Sequence, residues 1–287
     1  MKIAVYGISI DVKLVSTIEN MLNELHEKDC QLFIHTNLEC YFSDLSFPTY
    51  FSEVKKISSC DLILSLGGDG TILEVLSLLK SNKIPVLGIN TGRLGFLSNI
   101  SISELSSAVS QILNNELKIE ERSLIEFQDK NSLFDFPIGL NEITIHKKDS
   151  SSMISVHCYI EDEYFSTYWA DGLIISTPTG STGYSLSCGG PIITPGSGNF
   201  ILTPIAPHNL NVRPLIIPDH EEICLKFEGR SEEFLLSIDS RSVSVTSDIE
   251  LKIKKADYPF LLARLKEQSF SKTLRNKLMW GVDKRNK

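Results

Sequence analysis

The sequence contains no apolar run approaching the ~20 residues that a membrane-spanning helix needs. It has no C-x-x-C pair. Its six cysteines (Cys30, Cys40, Cys60, Cys158, Cys188 and Cys224) lie scattered, as do its six histidines. That pattern suits reduced thiols in a cytoplasmic protein better than a disulfide framework, and it offers no zinc spacing. Basic residues are not in excess: the net charge of −8 over 287 residues argues against a nucleic-acid or membrane-surface binder. Phosphate ligands stay compatible with it, because backbone N–H groups and Mg²⁺ can supply the positive field. No G-x-G-x-x-G spacing follows the first apolar run, no G-x-x-x-x-G-K-[ST] occurs, and there is no H-R-D loop. The first absence counts against a dehydrogenase, and the other two exclude the common nucleotide-kinase plans. Met1–Tyr6 already reads as a strand, which leaves no room for a signal peptide.

What is present is a soluble, globular composition, 42% hydrophobic and 22% charged, sufficient for one large domain or two ordinary ones. The chain is organised around Asp61–Thr71. A continuous apolar run reads as a strand buried on both faces; it stops at Gly67-Gly-Asp-Gly70, and Thr71 then opens a helix over Ile72–Leu79. Glycines let the backbone turn and a ligand approach, and the N–H groups at the helix start attract anionic oxygens. Gly67, Gly68 and Thr71 are the phosphate-binding candidates. An acid among them, Asp69, is poorly suited to holding phosphate; it points to a hydroxyl or a metal, hence to phosphoryl transfer with Asp69 facing the accepting hydroxyl. The plainer alternative is a tight turn in which Asp69 caps the helix.

Around this stretch, strands are expected at Ile3–Tyr6, Gln31–His35 and Ile84–Ile89, and an amphipathic helix at Val12–Leu25. Asn37–Tyr50 lacks a period and reads as a loop. Asn90–Leu97 is a second glycine-rich loop at a strand's carboxyl end, where open α/β sheets bind ligands, and Phe96 could cover a flat one. Ser101 and Glu104 form a capping box ahead of a helix to about Leu113. From about Lys118 short alternating runs take over: Leu124–Phe127, Glu142–His146, Ile154–Ile160, Leu173–Ser176, Phe200–Ile205, Leu215–Ile217, Ile223–Phe227, Phe234–Ile238 and Ile249–Ile253. The expected fold is an α/β domain with an open, mostly parallel sheet (1–116 plus 262–287) and an all-β sandwich-like domain (117–261). A C-terminal helix over Ser271–Val282 should return to the first. Within the β half, Thr177–Ser187 is dense in hydroxyls and glycine and offers neutral donors and acceptors to a sugar, amide or phosphate.

Together these segments resemble the bacterial NAD kinase family. The resemblance rests on Gly67-Gly-Asp-Gly70, Asn90–Phe96, Asn141-Glu142, Ala170-Asp-Gly172, Thr177–Tyr184 and Pro207-His208 with Arg213-Pro214, in the family's order over most of the chain. It implies phosphorylation of NAD⁺ at the adenosine-ribose 2′-hydroxyl, using ATP and Mg²⁺. It also implies a homo-oligomer, with a tetramer favoured. Asp69 matches the proton acceptor. Gly70 and Phe96 match the nucleotide crevice, Asn141 and Glu142 the pair that binds NAD, and Asp171 an acid on its nicotinamide side. Thr182, Gly183, Tyr184 and Ser187 match the stretch around adenine and ribose, and Ala206 and Trp169 fall in matching substrate-binding segments. Trp169 stands where many members carry Arg or Lys, Gly183 where Ala is common, and Arg241 where some carry Gln. A lipid or sugar kinase with the same glycine-rich turn is the nearest alternative, and a non-catalytic NAD-binding sensor the next. The first has no need of Asn141-Glu142, nor the second of Asp69.

Overall fold

The computed structural model describes every residue except 93, 129–130, 149–152, 231 and 281–287. The chain divides into two compact units, Met1–Glu121 with Leu261–Lys287, and Arg122–Phe260.

In the first unit, strand–helix alternation builds a seven-stranded sheet. Its order is Thr49–Phe51, Gln31–His35, Lys2–Gly7, Leu62–Leu66, Val86–Ile89, Phe260–Arg264, Lys118–Arg122. Lys2–Gly7 pairs in parallel with Gln31–His35 on one side and with Leu62–Leu66 on the other. The chain order therefore reverses between Lys2–Gly7 and Leu62–Leu66, and the loops leaving these two strands flank the kind of crevice where such sheets bind ligands. All five residues of Leu62–Leu66 are buried, Ser65 among them, as expected of a central strand covered on both faces.

The first helix spans Val12–Glu27, capped by Asp11 accepting from the Lys13 N–H (3.0 Å), and buries Ile18, Met21, Leu22 and Leu25 at helical spacing. Asn37–Tyr50 is not a plain loop. It carries a 3₁₀ turn at Thr36–Leu38, a helical turn at Glu39–Phe42 and an edge strand at Thr49–Phe51, with Leu38 and Phe42 buried. Elements of three or four residues are too short to print a period in the sequence. The capping box is present: the Ser101 N–H donates to Glu104 Oε2 (2.9 Å), and a helix follows at Leu105–Leu113.

The chain returns to the first sheet as a strand before it does so as a helix. Phe260–Arg264 lies between Val86–Ile89 and Lys118–Arg122, parallel to the former. The helix that follows runs Phe270–Leu278, with Ser269 as its N-cap, and ends at Met279 in the left-handed region. It is shorter than expected; Trp280 beyond it is exposed, and Val282 lies outside the described residues.

The second unit is a sandwich of two six-stranded sheets. One has the order Glu163–Ala170, Ile154–Ile160, Ile223–Gly229, Leu251–Lys255, Ile125–Phe127, Ile138–Gly139. The other has the order Leu215–Pro218, Asn199–Ile205, Gly172–Ser176, Glu142–Lys147, Glu233–Ile238, Arg241–Thr246. Alternate residues of both sheets, among them Val156, Leu225, Ile145, Leu173 and Leu236, share one apolar core. The strands Glu163–Ala170 and Arg241–Thr246, not expected from sequence, each lie at a sheet edge. Their outward residues interrupt the apolar signal that a central strand would show.

Candidate active site

Two clusters of the expected residues form, one in each unit. In the first unit Leu66 hands over to Gly67, whose φ is 155°; a Cβ there would lie 2.1 Å from Thr71 Oγ1, so only glycine admits this turn. The helix then begins at Asp69, earlier than the apolar period implied, and runs to Leu79. Gly68 and Gly70 face open space, with nothing within 4 Å of where a Cβ would stand. The turn thus presents the helix start without obstruction, as an anionic ligand requires.

Asp69 does not cap its own helix. Its carboxylate crosses to the second glycine-rich loop, where Oδ2 accepts from the Phe96 N–H (2.9 Å) and Oδ1 from Leu97 (3.0 Å) and Ser98 (2.9 Å). Ser98 Oγ closes the pair of loops by donating to the Gly67 carbonyl at 2.7 Å. The contact is close enough to dictate sequence: a Cβ on Gly95 would lie 1.8 Å from Asp69 Oδ1. A carboxylate offers about four lone-pair sites, and three are occupied here, leaving Oδ2 with capacity to accept one more hydrogen bond. Phe96 is half-buried in the same loop. Arg264, fully buried, donates from Nη2 to the Phe96 carbonyl (3.3 Å) while its Nε pairs with Glu120 (2.9 Å). Burial holds its guanidinium below the ordinary arginine value, against the opposing charges of Glu120 and then Asp69. Nearby, Tyr6 donates to Glu74 Oε2 (2.8 Å); burial, followed by this carboxylate, raises the phenol far above its usual range.

In the second unit the Asn141-Glu142 corner is fixed by its backbone. Asp239 accepts from the N–H groups of Leu140 (2.9 Å), Asn141 (2.8 Å) and Glu142 (3.2 Å). Thr177 donates its N–H to the Asn141 carbonyl (2.9 Å) and its hydroxyl to that of Leu140 (2.6 Å). Arg241, beside Asp239, donates to the carbonyls of Phe136 and Ile138 and lies against the Phe136 ring. In this chain Arg241 is a brace for the strand that leads into the corner. Glu142 Oε2 is buried without a partner among the described residues. Burial, then the facing Asp239 charge, pushes the Glu142 carboxyl up to about 8, so at neutral pH it holds a proton and can donate. Burial likewise raises Asp239 despite its three N–H donors.

Gly183 approaches the same carboxyl: a Cβ there would lie 3.2 Å from Glu142 Oε2. The Tyr184 phenol is raised first by burial and then by Cys188, with smaller contributions from the charges of Asp171 and Glu142. Asp171 pairs with Lys147 at 2.6 Å. Tyr184, Ser187 and Ala206 are exposed and Thr182 half-buried; Ala206 sits at φ 44°, where residues other than glycine are uncommon. Trp169 is 45% exposed between buried Tyr168 and Ala170, on the outward face of its strand.

The hydroxyl-rich loop is less available than its composition suggests. Thr177, Ser181 and Ser185 are buried; Ser181 Oγ donates to the Pro178 carbonyl (2.7 Å) and Ser185 Oγ pairs with Thr203 Oγ1 (2.8 Å). Only the Ser181 bond lies within the loop; Thr177 and Ser185 tie it to Leu140 and to the strand Asn199–Ile205, because buried polar groups must find partners. Sequence reasoning missed Gly95, Ser98, Asp239 and Arg264. Gly95 and Ser98 lay in or beside a stretch already marked, whereas Asp239 and Arg264 lie far along the chain and carry no local signature. Among the described residues no group of three or more His, Cys, Asp or Glu side chains is placed to hold a metal ion.

Residues 10–117 match the ATP-NAD kinase N-terminal domain and residues 140–265 the ATP-NAD kinase C-terminal domain. The NAD kinase of Cytophaga hutchinsonii is 45% identical over the full length of both chains, and that of Porphyromonas gingivalis 39% over 98% of each. Among solved structures, an NAD kinase from Archaeoglobus fulgidus in complex with ATP matches with a TM-score of 0.76 at 25% identity, covering 97% of this chain and 98% of its own. A yeast NADH kinase complexed with NADH shares the fold, with a TM-score of 0.87 at 24% identity over 99% of this chain and 89% of its own. The chain belongs to the ATP-NAD kinase family.

Proposed function

We propose that this NAD kinase transfers the γ-phosphoryl group of ATP to the adenosine-ribose 2′-hydroxyl of NAD⁺, with Asp69 as proton acceptor. The observation that carries this reading is the Asp69 carboxylate, held by three backbone N–H groups beside two glycines that face open space. A carboxylate is too weak a base to deprotonate a ribose hydroxyl outright. In a loose phosphoryl-transfer transition state it needs only to orient the hydroxyl and take the proton as the bond to phosphorus forms. Oδ2, which accepts one hydrogen bond where Oδ1 accepts two, is the oxygen assigned to that task. The N–H groups at the start of Asp69–Leu79, with Gly67, Gly68, Gly70 and Thr71, are assigned to the donor phosphates. Mg²⁺, expected with the ATP donor, would bridge and neutralise the donor phosphates at this turn. Asn141, Glu142, Asp171, Thr182, Gly183, Tyr184, Ser187 and Ala206 are assigned to the dinucleotide. A protonated Glu142 suits a neutral partner such as a hydroxyl or ring nitrogen. Phe96 and Trp169 offer aromatic faces.

The test is NADP⁺ formation by purified protein with NAD⁺, ATP and Mg²⁺, run beside Asp69→Asn. The variant should lose ~10²–10⁴ in kcat, the range for a general base, with little change in NAD⁺ affinity. Wild-type kcat in the variant would remove Asp69 from its role.

A further inference from the structure

The loop that grips Asp69 is itself gripped from its other side. Its N–H groups at Phe96, Leu97 and Ser98 point to the carboxylate, whereas three of its carbonyls, at Leu94, Phe96 and Asn99, accept from the C-terminal return. Lys277 Nζ donates to Leu94, Arg264 Nη2 to Phe96 (3.3 Å), and Gln268 Nε2 to Asn99 (3.0 Å). Asn99 Nδ2 reaches Thr273 Oγ1 at 3.4 Å, and the Lys277 ammonium stands 5.7 Å from the centre of the Phe96 ring. The return is anchored in turn: Gln111 accepts the Lys266 N–H (2.9 Å) and donates to Glu267 (2.9 Å), and Lys118 donates to the Lys266 carbonyl (2.8 Å). A hollow of about 70 Å³ remains where Leu94 and Asn99 face Gln268, Thr273 and Asn276. Loop and return are thus joined by separate polar contacts beside this hollow, so each contact is a distinct restraint on one carbonyl of the loop, and losing one shifts that carbonyl without unfolding the loop.

We propose that the return from Arg264 to Lys277 is a brace that sets the orientation of Asp69, with Lys277 and Gln268 as positioning residues. The inference rests on the reading of Asp69 as proton acceptor. Neither residue touches the carboxylate. Each fixes a carbonyl of the segment whose N–H groups hold it, and a small displacement of a reacting group costs rate out of proportion to its effect on stability. Lys277 is the discriminating position because it is exposed. An exposed lysine with no such role changes neither stability nor rate appreciably when replaced.

The experiment is steady-state kinetics on the full chain for Lys277→Met, Lys277→Arg and Gln268→Ala, each with a thermal melt, and for Lys277→Met combined with Asp69→Asn. Lys277→Met should lower kcat roughly tenfold, the scale of a small misplacement, with its melting temperature unchanged. Lys277→Arg, which still donates to a carbonyl and stacks on an aromatic face, should regain most of the rate. In the Asp69→Asn background the same Lys277→Met change should cost less than about twofold, because residues acting through one another are not additive. Wild-type kcat in both Lys277→Met and Gln268→Ala overturns the brace, as does an equal loss in both backgrounds or a loss that Arg does not restore. Full activity in Asp69→Asn alone instead refutes the assignment of Asp69, and the two failures are read from different arms.

Discussion

Gly95→Ala adds a single methyl group, and the structure makes it a severe change. The new Cβ would lie 1.8 Å from Asp69 Oδ1, whereas non-bonded heavy atoms settle near ~3.5 Å, so one group must move by roughly 1.5 Å or more. The loop cannot give way easily, because Leu97 and Ser98 are buried, Gly95 N–H donates to the Ser98 carbonyl (3.0 Å), and Ser98 Oγ is tied to Gly67. The carboxylate therefore swings out. Water compensates the anion it meets there, but the buried N–H groups of Leu97 and Ser98 lose their acceptor, at ~1–3 kcal/mol each, so a net destabilisation of about 2–6 kcal/mol is expected. The rate should fall by ~10² or more, since a misplacement of ~1 Å is enough for that. NADP⁺ formation and a urea titration measure the two effects, with Gly92→Ala as control because nothing lies within 4 Å of its Cβ position. Gly95→Ala with the kinetics of Gly92→Ala would show that the carboxylate's hold on this loop has no part in catalysis.

Two further predictions concern the second unit. Glu142, raised to about 8 from an unfolded value near 4.5, binds its proton in the folded state across a window in which the unfolded chain has lost it. Stability should therefore fall as pH rises from about 5 to 8 and level off above, since it declines wherever the folded state holds more protons. Glu142→Gln should flatten that slope in melts at pH 5.5, 7 and 8.5, and an unchanged slope would assign the pH dependence elsewhere. Asp239→Asn keeps the side-chain shape, and Asn tolerates the φ of 51°, but an amide N–H₂ replaces one of two accepting oxygens and Arg241 loses its counter-charge. The expected cost is ~1–3 kcal/mol for an orphaned N–H at Leu140 or Asn141. KM for NAD⁺ should rise several-fold with kcat largely kept, and an unchanged KM would free the Asn141-Glu142 corner from its dependence on Asp239.

The sequence by itself determined what is local and repetitive. Leu62–Leu66 is apolar at every position but Ser65 because both its faces are covered; Val12–Glu27 shows its period because one face is. The turn at Gly67–Gly70 was legible because a tight backbone close to a ligand admits few residue types, and the order of motifs pointed to the family. Tertiary structure alone decided what joins distant segments. Nothing local to Asp69 says that its carboxylate bonds residues 27 to 29 positions on, or that Arg264, 168 residues from Phe96, holds the opposite side of that loop. Composition promised free hydroxyls in Thr177–Ser187; burial turned several of them inward, onto Leu140, Pro178 and Thr203, because a buried hydroxyl must be hydrogen-bonded. The return of Phe260–Arg264 into the first sheet has the same cause. An apolar run announces that it will be covered, and only the assembled sheet supplies the edge it joins.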